Sequence, residues 1–130
     1  MTPPPGTLRH VALNVYDLTN TLDFYVRIVG MRIEWQPDDD SAYLTSGTDN
    51  LALHRGDRLT AGPQHLDHIG FTLERADDVD AWHAHLLACG VEVTAAPRTH
   101  RDGARSLYCR DPEGRRVQFI YHPPLAPRRP

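Results

Sequence analysis

Cysteine is scarce in this chain, and the two present, Cys89 and Cys109, form neither a CxxC pair nor an evenly spaced framework. That scarcity excludes a disulfide-stapled scaffold. Both thiols are expected to be reduced and packed as small apolar groups, Cys89 at a helix end and Cys109 in a strand. Long apolar runs are missing too: none approaches the roughly 20 residues that span a bilayer. The opening Thr2-Pro-Pro-Pro-Gly6 lacks the charged-then-apolar layout of a secretory signal. The protein is therefore expected to be cytoplasmic, with no membrane partner. Positive charge is also lacking. The net charge is −3, and the basic residues are scattered, with only a small cluster at Arg128–Arg129, so nucleic acid is not an expected partner.

What is present is globular. The chain has 130 residues, 40% of them apolar and 24% charged, enough for one ordinary domain with a real core. Two stretches share a pattern, Leu8-Arg-His10-Val-Ala-Leu-Asn-Val15 and Leu66-Asp-His68-Ile-Gly-Phe-Thr-Leu73. Each reads as a strand, because apolar residues recur at every second position. Val11, Leu13 and Val15 point one way, and His10, Ala12 and Asn14 the other. In the echo Ile69, Phe71 and Leu73 take the apolar face, leaving His68, Gly70 and Thr72 opposite. The similarity continues beyond the strands: a helical run after His10 closes at Gly30 and another after His68 closes at Gly90, offsets of 58 and 60 residues. One supersecondary unit is used twice, with a histidine at the same place in each copy.

Module one is expected over about 7–55. After its first strand, Asp17 or Thr19 can cap a helix whose Leu22, Tyr25, Val26 and Val29 fall at helical spacing, with Gly30 at the left-handed C′ position. Met31–Trp35, Ala42–Thr45 and Leu51–His54 read as strands separated by turns at Asp38–Ser41 and Ser46–Asn50. About 56–65 reads as a linker. Module two, about 66–122, repeats the order: a helix capped by Asp77 or Asp78 with Val79, Trp82 and Leu86 as its stripe, then strands at Val91–Thr94, Arg105–Cys109 and Arg116–Tyr121. Ala95–Gly103 is expected to be a loop and Asp111-Pro-Glu-Gly114 a tight turn. Residues 1–6 and 123–130 are expected to be proline-rich tails. In the last strand Val117 and Phe119 share one face, and Gln118, Ile120 and His122 the other. Each helix can cover only one face of its small sheet, so the face carrying His10, His68 and Gln118 must line something shared. The expected fold is α+β: paired βαβββ modules forming a curved, incompletely closed eight-stranded sheet around a cleft.

In this order and spacing, His10 in His-Val-Ala-Leu-Asn-Val, Asp23-Phe-Tyr25 ahead of Val29-Gly-Met31, Leu66-Asp-His68-Ile-Gly-Phe and Leu107-Tyr-Cys-Arg-Asp-Pro-Glu-Gly114 before Val117-Gln-Phe119 carry a resemblance. Over roughly residues 7–122 the chain resembles the vicinal-oxygen-chelate superfamily, which includes glyoxalase I, bleomycin-resistance proteins and extradiol dioxygenases. The resemblance implies a divalent metal, Fe, Mn, Zn or Ni, held by His10 and His68, with Gln118 in the place of a family glutamate. Two imidazoles and one oxygen donor leave coordination positions open for a substrate that chelates through neighbouring oxygens. Gln118 brings only a neutral amide oxygen, which lowers the expected metal affinity. His54 lies where glyoxalase-like members place a further ligand, but if Leu51 corresponds to Val117, Ala52 takes that position and His54 sits a pleat further out. Tyr108 resembles a dioxygenase tyrosine that hydrogen-bonds bound substrate, or is a strand aromatic filling the cleft. His100, in Arg98-Thr-His-Arg-Asp102, is a candidate mobile acid or base. The leading expectation is a metal-dependent small-molecule enzyme acting as a homodimer. The alternative is a metal-free binding protein of the bleomycin-resistance type, holding a planar ligand against Trp35, Tyr43 and Tyr108.

Overall fold

A computed structural model describes residues 8–56, 66 and 68–125. The tails 1–6 and 126–130, His65, Asp67 and nearly all of the expected linker lie outside the described residues. The chain divides into two compact units, one through Ala61 and one from Gly62. Among the described residues no helix is long and apolar enough to cross a membrane.

The first unit runs β1 (His10–Val15), α1 (Leu18–Asp23), a π-helical turn (Phe24–Ile28), β2 (Arg32–Asp38), β3 (Ser41–Thr45) and β4 (Asn50–Arg55). Its sheet has the order β1-β4-β3-β2, with β1 parallel to β4 and the other pairs antiparallel. The second unit repeats this as β5 (Ile69–Leu73), α2 (Ala76–Ala88), β6 (Val93–Thr99), β7 (Arg105–Arg110) and β8 (Arg116–Tyr121), in the order β5-β8-β7-β6. Over the described residues the chain thus adopts an α+β fold of two βαβββ modules, eight strands in two mixed, open four-stranded sheets. A short 3-10 turn, Pro123–Leu125, follows β8.

The alternation expected of β1 is present: Leu13 and Val15 are buried while His10, Ala12 and Asn14 are exposed. Parallel pairing sets Val11 and Leu13 beside Leu51 and Leu53, an apolar row on the helix side that ends where Val15 meets Arg55. The first helix departs from the expected stripe. Asp17 caps it as expected, its Oδ1 accepting the Asn20 N–H at 3.0 Å. At the far end the Val29 N–H reaches the Phe24 carbonyl, five residues back, at 2.9 Å. Of the expected stripe Tyr25 and Val29 are buried and Leu22 and Val26 only half so, while Thr21, Phe24 and Ile28 complete the buried face around the widened turn. Gly30 (φ 93°) and Gly90 (φ 73°) end the two helical runs in the left-handed conformation, as their spacing indicated.

In the second unit Phe119, 1% exposed, is stacked between Phe71 (5.5 Å) and Trp82 of α2 (4.5 Å). Burying one such ring is worth about 1.5–3 kcal/mol. The Arg105 guanidinium, 2.7 Å from Asp80, ties β7 to α2 and holds the Asp80 carboxyl below its ordinary range. Both cysteines are free thiols. Burial, reinforced by the Asp111 charge, pushes the Cys109 thiol up to about 12.

Two expectations need correction here. The helix α2 is not capped by Asp77 or Asp78: its N-cap is Arg75, and Asp78 sits inside the first turn with Oδ2 accepting the Arg75 N–H at 3.0 Å. Carboxylates inside the first turn suit the positive end of the helix dipole. The expected strand Val91–Thr94 with a loop to Gly103 is instead the strand Val93–Thr99, passing through Pro97. Proline is tolerated because β6 is an edge strand whose register shifts between Val93 and Arg98. The strand β2, also an edge with register shifts, runs through Pro37 in the same way.

Candidate functional site

The candidate residues lie on the sheet face opposite the helix row, and each unit holds its own group. In the second unit β8 pairs Gln118 with Gly70 of β5 on one side and Tyr108 of β7 on the other. Gln118 is 9% exposed, and its Nε2 donates to the Tyr108 hydroxyl at 3.1 Å. That contact turns Oε1 toward Gly70, where an added Cβ would meet it at 3.4 Å. His68, immediately before β5, presents its ring edge-on to Tyr108 at 5.4 Å between centroids. The Arg116 guanidinium carbon lies 4.5 Å from the centre of the same tyrosine ring. His68, Tyr108 and Gln118 are therefore brought together. His100 is not part of that group. It opens a tight turn closed by Gly103 N–H to the His100 carbonyl, and its Nε2 lies 3.1 Å from Ser106 Oγ, one pleat along β7 from Tyr108.

In the first unit His10 Nδ1 lies 2.8 Å from Asn50 Oδ1, and Asn50 Nδ2 donates to Glu34 Oε2 at 3.3 Å. The register settles the place of His54. Leu51 pairs with Val11 as Val117 pairs with Ile69, so Ala52 occupies the position matching Gln118 and His54 lies one pleat beyond it. His54 Nδ1 is 3.3 Å from Ser41 Oγ, and its ring meets Tyr43 edge-on at 5.7 Å. Tyr43 in turn stacks on Trp35 at 5.1 Å, and Trp35 is 59% exposed. A cavity of about 530 Å³ between α1 and β2, floored by Leu18, Leu22, Val26 and Ile33, includes none of the candidate residues.

Among the described residues no three His, Cys, Asp or Glu side chains gather into a metal cage. The donors that are present still have the chemistry a cation needs. With its Nδ1 against an amide oxygen, His10 keeps the Nε2 lone pair for another partner, and Gln118 keeps Oε1 because its NH₂ is engaged by Tyr108. Sequence reasoning missed Asn50, Glu34, Gly70 and Arg116. Gly70 could have been found from the repeat, as the residue two beyond His68 where module one has Ala12. Asn50 and Glu34 carry no local signal, since they meet His10 only across strands.

Comparison with known proteins places this geometry in context. The family model described as the Glyoxalase/Bleomycin resistance protein/Dioxygenase superfamily matches residues 7–119. The chain is 30% identical over 136 residues to the uncharacterized protein PA2024 of Pseudomonas aeruginosa, covering 93% of this chain and 92% of that one. Among solved structures it is similar to an integron cassette protein from the Halifax Harbour sewage metagenome (TM-score 0.77, 24% identity, 89% of this chain and 98% of that one). It is also similar to a lactoylglutathione lyase from Agrobacterium tumefaciens (TM-score 0.76, 24% identity, 92% and 96%). At that identity the two structures establish the fold alone.

Proposed function

Since the chain belongs to the Glyoxalase/Bleomycin resistance protein/Dioxygenase superfamily, we propose that it is a small-molecule enzyme in which His10, His68 and Gln118 hold a divalent metal for an oxygen-bearing substrate. The observation that carries this reading is the way His10 and Gln118 are each held by a neighbour on one atom and left with a lone-pair atom on the other. When bound, the metal supplies Lewis acidity to substrate oxygens. The protein's own groups do the rest. Gln118 donates to the Tyr108 oxygen, so the Tyr108 hydroxyl hydrogen is left to donate to a substrate oxygen on which negative charge grows. Gly70 keeps the space beside Gln118 Oε1 clear of a side chain. His100, exposed at its turn, is the proton-transfer group at the edge of the site. His54 stays outside this donor set, one pleat beyond Ala52. His10, His68 and Gln118 would bring no negative charge to a bound cation, so this donor set would suit a substrate that binds as an anion.

Protein purified without chelator is expected to carry near-stoichiometric transition metal by elemental analysis, and its absence overturns the reading. Gln118→Glu is expected to tighten Mn²⁺ or Zn²⁺ binding by about an order of magnitude or more and to raise the melting temperature when metal is added. His10→Ala removes that rise. A metal-free binding protein is the second reading, favoured by the exposed Trp35 stacked on Tyr43, a platform for a planar ligand. It predicts the opposite sign: an added carboxylate at 118 lowers the melting temperature with metal and without it.

We further propose that the active species is a cytoplasmic homodimer. The edge strand β2 leaves Ile33 (46% exposed) on one face and Trp35 on the other, and its unpaired edge is one that a partner can cover. Sedimentation at micromolar concentration is expected to give about twice the 14.7 kDa chain mass.

A further inference from the structure

His10 is held by a chain of two side chains that no motif assigns. Glu34 is a carboxylate and can only accept, so the Asn50 group facing it at 3.3 Å is the amide NH₂. That fixes the other end: Asn50 Oδ1 faces His10 Nδ1 at 2.8 Å, and because an amide oxygen only accepts, Nδ1 carries the proton. A neutral imidazole protonated at Nδ1 has its lone pair on Nε2. The three residues come from three strands, β2, β4 and β1, and His10 and Asn50 are direct partners in the parallel register. The second unit carries a different residue at the place that matches Asn50. There the residue before Val117 is Arg116, whose guanidinium has no acceptor to offer an imidazole N–H and lies instead over Tyr108.

We propose that Asn50 and Glu34 are positioning residues that hold His10 in the Nδ1-protonated tautomer and aim its Nε2 lone pair at the bound cation. The second half of this statement rests on the reading of His10 as a metal donor; the first half does not. Metal-bound histidines are commonly oriented this way, by an oxygen acceptor on the ring nitrogen that does not bind, and loss of that acceptor weakens binding without removing a ligand. Glu34 is exposed and Asn50 half-buried, so both accept substitution without disturbing a core.

The test is nitrogen NMR of the metal-free full chain with labelled histidine, read at about pH 8.5, where an ordinary histidine is neutral. Wild-type His10 is expected to show Nδ1 protonated and Nε2 bare. Asn50→Leu and Glu34→Gln are expected to release it to a mixture of tautomers, while Asn50→Asp, which keeps an oxygen acceptor, restores the wild-type signature. Zn²⁺ titration is expected to give a dissociation constant roughly 10–100-fold weaker in Asn50→Leu than in wild type. A wild-type His10 protonated at Nε2, or a tautomer unchanged in Asn50→Leu, overturns the proposal. If the tautomer responds as stated but Zn²⁺ leaves the His10 Nε2 signal unmoved, the positioning role of Asn50 and Glu34 stands and the metal reading is the part that fails.

Discussion

The two units are built on one plan and furnished differently, and the differences fall at single positions of a shared register. Where β4 places Ala52, β8 places Gln118; where β4 places Asn50 beside His10, β8 places Arg116. The tyrosines Tyr43 and Tyr108 occupy the same place, yet Tyr43 stacks on Trp35 while Tyr108 takes a hydrogen bond from Gln118. Even the serines match. Ser41 meets His54 from β4, and Ser106 meets His100 from the turn after β6. The lesson is that backbone pairing is the repeated part. Chemistry is written on it one side chain at a time, so the second unit gathers His68, Tyr108 and Gln118 while the first braces His10.

The strongest way to break the comparison is in the cores. Phe119 and Leu53 hold matching positions and both are buried, but Phe119 is clasped between two aromatic rings. Phe119→Ala is expected to cost about 3–5 kcal/mol and Leu53→Ala about 2–5, measured by urea unfolding, with the phenylalanine nearer its upper limit. A larger loss at Leu53 shows that the aromatic stack of the second unit adds little beyond area.

A second difference is read by pH. Cys109 stands where the first unit has Leu44, and both are fully buried. Its thiol is raised from 9.0 to about 12, so the unfolded chain loses this proton first. The stability it contributes is complete below pH 9 and is lost as pH climbs toward about 12, at about 1.4 kcal/mol per pH unit. Unfolding across that window is expected to lose this slope in Cys109→Val, leaving only the titration of other groups. An equal slope in the variant shows that the thiol is not its source.

The smallest effects come from the caps. Asp17→Ala removes the side-chain acceptor of α1 and is expected to cost about 1 kcal/mol in thermal unfolding. At α2 the N-cap is Arg75, which has no oxygen to offer, so Arg75→Ser is expected to stabilise by up to about 1 kcal/mol. Caps that respond alike in the two helices remove this distinction between the units.

Much of this was legible in the sequence. The duplicated strands around His10 and His68, the helix-closing glycines and the alternating faces of Val117–Ile120 follow from side-chain periods of 2 and 3.6 and from the φ that only glycine adopts freely. The strands through Pro37 and Pro97 were not legible to their ends, because proline reads as a stop unless the strand is known to lie at a sheet edge. The buried face of the first helix was legible only in part, at Tyr25 and Val29 and not at Leu22 and Val26. A single widened turn shifts every later residue, and nothing local marks Phe24–Ile28 as π-helical.

What the sequence determined by itself is therefore the repeat, its order of elements and the face on which each candidate side chain stands, all of which depend on neighbours a few residues apart. What only the tertiary structure decided is which of those side chains meet. The bond between His10 and Asn50 spans 40 residues and the bond between Tyr108 and Gln118 spans 10. Each exists because strand pairing fell into one register, and a one-residue slip would turn every partner to the other face. That register also placed Ala52, not His54, opposite the centre of β1.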